Sequence, residues 1–186
     1  MSHGHFRQDE NVRRRSQDPH KLLRGIGVAK GMVFVDIGCG AGFFSIPAAE
    51  MVGEGGKVYA VDVNPAFLEE VEKRASALGL KNVVLKAASA EEAILFDSRA
   101  DIVFFANAFH DFEDKERVLA NSMRMLKQGG ETVDLDWKKT NTTHGPPLWK
   151  RLPEKEVERL MSVVGFRAIK TTDCGKGHYL IVGKKS

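Results

Sequence analysis

The sequence predicts an α/β fold: a doubly wound, mostly parallel seven-stranded sheet that ends in an antiparallel hairpin. Apolar, β-branched runs alternate with helix-like segments from residue 32 onward, an alternation typical of parallel sheets. A glycine-rich loop follows the first run, as in sheets that bind nucleotides at their carboxyl edge. The last two runs, at 166–172 and 178–183, are separated by a short turn, which predicts the antiparallel pair.

Each element between these ends follows from a local signal. Runs of valine, isoleucine and phenylalanine predict the strands, and capping residues or first-turn prolines predict the helix starts. Gly129 and Gly130 are expected to form a turn into the fifth strand. Before the hairpin, the expected strands are 32–37, 57–62, 82–87, 101–106 and 131–137, and the expected helices are 43–52, 65–78, 114–126 and 153–164, with a short helical piece at 91–95.

The helix after the second strand has the clearest pattern. Asn64 is expected to cap it and Pro65 to occupy its first turn, while a glycine follows its last residue. Spacings of three and four then predict one buried face, which would consist of Leu68, Val71, Ala75 and Leu78.

Composition indicates an ordinary globular domain. The chain has 186 residues, a hydrophobic fraction of 42% and a formal net charge of +3. That charge does not by itself favour a nucleic-acid partner, and no apolar run has membrane-spanning length. With two cysteines and no signal peptide, the expectation is a cytoplasmic protein with reduced thiols.

The first 24 residues differ from the rest of the chain. Basic residues outnumber acidic ones there, and few apolar residues interrupt them. We therefore divide the chain into an arm at 1–24 and a single domain at 25–186. The arm is interpreted either as a solvated segment or as a lid over the cleft.

The glycine loop and the acids beside it predict a nucleoside site. Gly38, Gly40 and Gly42 follow the first strand, and Asp62 ends the second. Such a loop lets the backbone approach a ligand closely, and the carboxylate can accept hydrogen bonds from ribose hydroxyls. A dinucleotide site has the spacing G-x-G-x-x-G, but here the third glycine falls one residue early. Asp36, just before the loop, also departs from that pattern, so a nicotinamide oxidoreductase is disfavoured.

The segment Asp36–Gly42 resembles the first motif of class I S-adenosylmethionine-dependent methyltransferases. Val58–Pro65 and Asp101–Gly130 extend the resemblance, the latter through Leu-Lys-Gln-Gly-Gly where the family usually has Leu-Lys-Pro-Gly-Gly. It covers about residues 25–186 and points to the small-molecule "type 11" group, which includes the ubiquinone and menaquinone C-methyltransferases. It implies S-adenosylmethionine as cofactor, S-adenosylhomocysteine as product and a small-molecule methyl acceptor that it does not identify.

The resemblance also implies a cofactor site at the ends of four strands. The glycine loop would face the methionine end, Asp62 the ribose, and the segment after the third strand the adenine. The expected cofactor-binding residues are Asp36, Gly38, Cys39, Gly40, Gly42, Asp62, Val63, Ser89, Ala90 and Asn107.

Ser89 is a departure from the family. Its position usually holds an aspartate that bonds the adenine amino group. A serine hydroxyl can accept the same bond without a charge, so the adenine contact should be weaker, although the backbone of Ala90 could still serve it.

His110 and Asp136 are the expected catalytic residues. His110 follows the fourth strand, where the resemblance places the transferred methyl group, and it would act as general base for an acceptor that loses a proton. Asp136 ends the fifth strand and would reach the acceptor side of the cleft, whereas Asp134 should bond backbone or a helix. Trp137 and Trp149 could form aromatic walls, but core packing is the expectation for Trp149.

Several other function classes remain open or are disfavoured. A non-catalytic cofactor-binding subunit would keep the same glycine loop, and an RNA methyltransferase would use the basic arm. No Asn-Pro-Pro-Tyr-like motif follows the fourth strand, so the amino-methylating enzymes of DNA and RNA match poorly. No metal site is expected: His3, His5 and His20 lie in or near the arm, and there are only two cysteines. A homodimer is compatible with the sequence.

Overall fold

The computed structural model describes Arg13 and residues 17–186, and in this part of the chain seven strands form one sheet in the order β3-β2-β1-β4-β5-β7-β6. All neighbouring strands are parallel except β5–β7 and β6–β7. The predicted α/β fold class is therefore confirmed. The strands are β1 (Val33–Ile37), β2 (Lys57–Asp62), β3 (Val83–Ala87), β4 (Ala100–Ala106), β5 (Leu126–Trp137), β6 (Arg167–Asp173) and β7 (His178–Lys184).

Helices cover both faces of this sheet because β1, β2 and β4 carry apolar residues on both sides. The first three helices pack on one face and the last two on the other. A 3₁₀ turn at Phe109–Asp111 follows β4. The helices are α1 (Pro19–Gly25), α2 (Ser45–Val52), α3 (Pro65–Ala77), α4 (Lys115–Met125) and α5 (Glu154–Val164).

The strand order creates a crevice beside β1. The chain runs outward through β2 and β3, then returns to the other side of β1 to form β4. Loops that leave the carboxyl ends of β1 and β4 therefore turn in opposite directions and leave a gap between them. The cleft described below opens at this point.

The predicted strands agree with the structure to within a few residues, but three local predictions are wrong. Residues 91–95 form no helix; a turn covers 90–92, where the Glu92 amide donates to the Ser89 carbonyl. The two glycines at 129–130 do not precede β5; they lie within it, where the register against β4 shifts. Leu78 is 56% exposed because α3 ends at Ala77, before the helix can bury that position.

The predicted arm boundary at residue 24 falls inside α1. Asp18 caps this helix by accepting the Lys21 amide, and Pro19 occupies its first turn. Leu23 is fully buried in the core beside α2. The domain therefore includes α1, while most of the expected arm, at 1–12 and 14–16, lies outside the described residues.

Leu23 offers a test of whether α1 belongs to the folded domain. We expect Leu23→Ala to lower the free energy of unfolding by about 2–5 kcal/mol, as for other fully buried leucines. Urea denaturation measures this cost. The exposed Leu78→Ala is the matched control, with an expected change within about 0.5 kcal/mol. Equal, small effects in both variants would contradict the packing of α1.

Candidate active site

A cleft of about 780 Å³ lies at the carboxyl ends of β1, β4 and β5. The glycine loop forms one side, and Phe43, Phe44 and Phe67 add aromatic surface. Trp137 and His178 form the opposite wall. The cleft therefore extends from the expected nucleoside site toward the antiparallel edge of the sheet.

The glycine loop packs closely against the turn after β4. Gly38 has a φ of 73°, and a Cβ atom there would lie 2.8 Å from the Cβ of Ala108. Gly38 and Gly40 both line the cleft, as expected for backbone that approaches a ligand. Gly42 instead contacts Val71 of α3, because a Cβ atom there would lie 3.0 Å from the Val71 side chain. Gly42 therefore allows the loop to pack against α3, and it does not line the cleft.

Asp62 is held by the backbone on both sides. One carboxylate oxygen accepts the Gly40 amide at 2.9 Å, and the other accepts the Asn64 amide at 2.9 Å. Each oxygen keeps a second lone pair, so the oriented carboxylate can still accept hydrogen bonds from two hydroxyls. Asn64 also caps α3 as predicted, by accepting the Ala66 amide.

Asp36 lies at the bottom of the cleft and is almost completely buried. It accepts a hydrogen bond from the Ser45 hydroxyl at 2.5 Å. Burial raises the pKa of this carboxyl to about 7, an effect that the Ser45 bond and the Arg13 charge oppose. A buried carboxyl of this kind would favour a ligand cation next to it.

Asn107 ends β4 in a strained conformation. Its φ is 57°, a left-handed value that costs energy in residues other than glycine. Its amide nitrogen lies 3.5 Å from the Gln17 Oε1 atom, whereas its buried Oδ1 atom makes no hydrogen bond among the described residues. Asn107 lines the cleft, so this unpaired acceptor lies next to the cavity.

The remaining expected cofactor residues differ in position. Cys39 lines the cleft, but its side chain is buried in the core, and burial raises the pKa of its thiol. Ser89 and Ala90 follow β3 and do not line the cleft. Asp62 and Val63 do not line it either, and Val63 is 67% exposed. The adenine contacts remain a prediction.

His110 and Asp136 lie together but do not line the cleft. The His110 Nδ1 atom is 2.8 Å from Asp136 Oδ1, and the His110 amide donates to Asp136 Oδ2. The Nε2 atom is 3.3 Å from Asp111, which is bonded to Lys150. Both ring nitrogens thus face carboxylates, which favours a role in positioning the turn after β4. Catalysis by this pair remains a prediction.

Asp134 is fully buried on the same face of β5 as Asp136. Burial, followed by the charge of Asp136, raises the pKa of its carboxyl well above its usual range. The expected bond to backbone or a helix is not formed; the polar group that acts on this carboxylate is the Tyr179 hydroxyl of β7.

Trp137, one of the two tryptophans that the sequence analysis offered as aromatic walls, lines the cleft beside His178, which the sequence analysis did not assign to the site. They are paired across β5 and β7, with ring centroids 4.0 Å apart. Gly145 lies against the Trp137 ring, so closely that a Cβ atom there would be 2.8 Å away. Only the antiparallel register brings His178 to the cleft, and no local motif marks it. Trp149 is 76% exposed, so its expected core packing is wrong.

Arg151 organises the loop behind this wall. Its buried guanidinium makes five hydrogen bonds within residues 138–146: four to backbone carbonyls and one to the Thr142 hydroxyl. It also lies 5.2 Å from the Trp137 ring centroid. One planar, multi-donor side chain therefore holds an irregular loop against the tryptophan.

The structure also bears on membrane and metal sites. Within Arg13 and residues 17–186, the helices are too short or too polar to span a bilayer. The same residues contain no cluster of three side chains suited to hold a metal ion. His3 and His5 are outside the described residues.

These contacts fit the cofactor that the resemblance implies. Asp62 offers two oriented acceptors where a ribose is expected, and the loop at Gly40 leaves open space for backbone approach. Asn107 and Asp36 offer an unpaired acceptor and a buried carboxyl where an amino group is expected. The donor and acceptor set therefore suits an aminoacyl nucleoside.

The buried Asp36 carboxyl predicts a pH dependence of stability. Its pKa of about 7 exceeds the unfolded value of 3.8, so the folded protein holds a proton that the unfolded chain loses between these values. Stability should therefore fall as the pH rises through this window. We expect Asp36→Asn to remove this contribution and to gain about 2–4 kcal/mol over the wild type at pH 8. Urea denaturation from pH 4 to 8 checks it, and a pH-independent difference would contradict it.

Arg151→Lys tests the organisation of the loop. Lysine keeps the charge but loses the planar fork, so several carbonyls would lose their donors. We expect the free energy of unfolding to fall by about 2–3 kcal/mol. Arg124→Lys, at an exposed ion pair with Asp97, is the control, with an expected change below about 1 kcal/mol. Equal losses would argue against the role of Arg151.

Comparison with known proteins identifies the family. The family model described as "Methyltransferase domain" matches residues 29–164. A demethylmenaquinone methyltransferase of Geobacillus stearothermophilus is 34% identical over 115 residues, which are 62% of this chain and 49% of that protein. The chain thus spans about half the length of the curated relatives it matches.

Solved structures agree over a larger part of the chain. A SAM-dependent methyltransferase from Aquifex aeolicus has a TM-score of 0.90 at 31% identity, covering 97% of this chain and 96% of that one. A type 11 methyltransferase, described as putative, from Sulfolobus solfataricus has a TM-score of 0.75 at 32% identity, covering 90% and 92%. The chain therefore belongs to the methyltransferase domain family, within the class I, type 11 group of S-adenosylmethionine-dependent enzymes.

Proposed function

We propose that this chain transfers the methyl group of S-adenosylmethionine to a small-molecule acceptor bound in the cleft. The observation that supports this most strongly is the Asp62 carboxylate, which two backbone amides orient and which binds Gly40, a residue that lines the aromatic cleft. The acid lies where a ribose would bind, and the aromatic wall of Trp137 lies toward the antiparallel edge. The cleft between the glycine loop and this wall has room for the reactive end of the donor and for an acceptor.

The cofactor supplies an activated methyl group on a sulfonium and leaves as S-adenosylhomocysteine. The protein binds the cofactor, aligns it with the acceptor and excludes water from the site. In this proposal Asp62 holds the ribose hydroxyls, while Asp36 and Asn107 hold the methionine amino group. The aromatic side chains exclude water and keep the acceptor in line, which accounts for much of the rate in such displacements.

The cleft supports a small acceptor. Its volume of about 780 Å³ is in the range for a cofactor and a compact ligand. Arg13 and Arg74 line it with Asp36, so its charge does not favour a cationic acceptor. A net charge of +3 over the chain gives little support to an RNA substrate.

The proposal also includes the compartment of the protein, the role of its basic arm and its oligomeric state. Cys39 and Cys174 are both free, in keeping with a reducing compartment such as the cytoplasm. Gln17 and Arg13 line the cleft, which supports a lid role for the end of the basic arm. A homodimer remains a prediction that gel filtration can check.

Release of S-adenosylhomocysteine is the direct test of catalysis. The assay supplies labelled cofactor with thiols, phenols, quinols, amines or RNA as acceptor. Product release with one class of small molecule supports the proposal. Cofactor binding without turnover across the whole set would instead favour a non-catalytic binding subunit.

Asp62→Asn tests the nucleoside site. The amide has one acceptor oxygen and no charge, so we expect it to weaken S-adenosylhomocysteine binding about 10–100-fold, through loss of charge-assisted hydrogen bonds. Isothermal titration calorimetry measures the affinity. The exposed Asp97→Asn is the matched control and should bind like the wild type. An unchanged affinity in folded Asp62→Asn protein would remove this residue from the site.

A further inference from the structure

His178 lies on the cleft wall that an acceptor would contact. It is the first residue of β7, and the antiparallel register places it directly opposite Trp137. Both side chains line the cleft, with ring centroids 4.0 Å apart. This wall is formed by the ends of β5 and β7, across the cleft from the glycine loop.

One nitrogen of His178 has no partner. Its Nε2 atom is buried from solvent and makes no hydrogen bond within the part of the chain that the structure describes. Burying such a group without a partner is unfavourable, and a hydrogen bond from a ligand would remove that cost. His110, which is buried, has carboxylates at both ring nitrogens. The two histidines thus differ in what they can still bind.

The charges around His178 favour its neutral form. Arg13, Arg151 and Lys138 are the cations that act on the ring, and Asp136 is the opposing acid. Burial, assisted by Arg13, lowers the pKa of His178 to about 4. A neutral imidazole has one nitrogen that accepts a hydrogen bond. His178 can therefore act as an acceptor at neutral pH.

We propose that His178 accepts a hydrogen bond, and then the proton, from a planar methyl acceptor that carries an O–H or S–H group and stacks on Trp137. This inference rests on the proposed function. The acceptor's lone pair forms the bond to the methyl carbon, and the carbon–sulfur pair returns to sulfur. In this proposal the imidazole turns to bring the buried Nε2 atom to the cleft and takes the acceptor's proton there. The proton passes to solvent after the product leaves, so the imidazole regains its neutral form.

Binding of 4-nitrophenol tests the acceptor subsite without turnover. The chain has two tryptophans, Trp137 and Trp149. In a Trp149→Phe variant the tryptophan fluorescence therefore comes from Trp137 and reports on this wall. With S-adenosylhomocysteine present, we expect saturable quenching by the probe. His178→Phe keeps an aromatic ring but no acceptor, and it should weaken probe binding about tenfold or more.

Turnover separates the hydrogen bond from the proton transfer. His178→Gln keeps an acceptor oxygen but cannot take a proton. We expect it to bind the probe within about threefold of the wild type and to lower single-turnover methyl transfer about 10²–10⁴-fold. His20→Gln, on the exposed side of α1, is the matched control and should change neither. The comparison with His110→Gln shows which of the two histidines supplies the base.

The outcomes distinguish this inference from the proposed function. If the wild-type protein does not bind S-adenosylhomocysteine, the proposed function itself is contradicted. Normal cofactor binding with no probe binding, or with equal probe binding in His178→Phe, would overturn the acceptor subsite. A His178→Gln variant that transfers methyl groups at the wild-type rate would overturn the proton transfer.

Discussion

The Asp62 carboxylate connects the two loops on which the site depends. It accepts the Gly40 amide from the loop after β1 and the Asn64 amide at the start of α3. The Val61 carbonyl beside it accepts the amides of Gly38 and Cys39. The end of β2 thus determines the shape of the glycine loop. Because each backbone donor is paired, the carboxylate is oriented before any ligand arrives, which lowers the entropic cost of binding.

The far wall of the cleft is built by different means. An antiparallel strand pair places Trp137 beside His178. The side chain of Arg151 holds the adjoining loop by hydrogen bonds to its carbonyls. The nucleoside side is therefore formed mainly by backbone groups, and the acceptor side by side chains and an irregular loop. This division allows the acceptor wall to change without disturbing the cofactor site, a common property of sites carried on loops.

The sequence was sufficient for elements with local signals. Strand composition, helix caps and the spacing of Asp36, the glycines and Asp62 predicted the sheet and one side of the cleft. The other side depends on contacts between distant residues. His178 reaches the cleft through register with Trp137, and Trp149 is exposed although no local signal distinguishes it from a core residue. The position of His110 after β4 was readable, but its two carboxylate partners were not.

The most direct measurement of the central claim is a residue-resolved NMR titration of isotope-labelled protein with S-adenosylhomocysteine. The account predicts the largest amide shifts at 38–41 and 62–64 and at Asn107, with a separate, smaller change at Trp137 and His178. It also predicts little change along β6, at the far edge of the sheet. Shifts concentrated away from the carboxyl ends of β1, β2 and β4, or no shifts at saturating ligand, would contradict it.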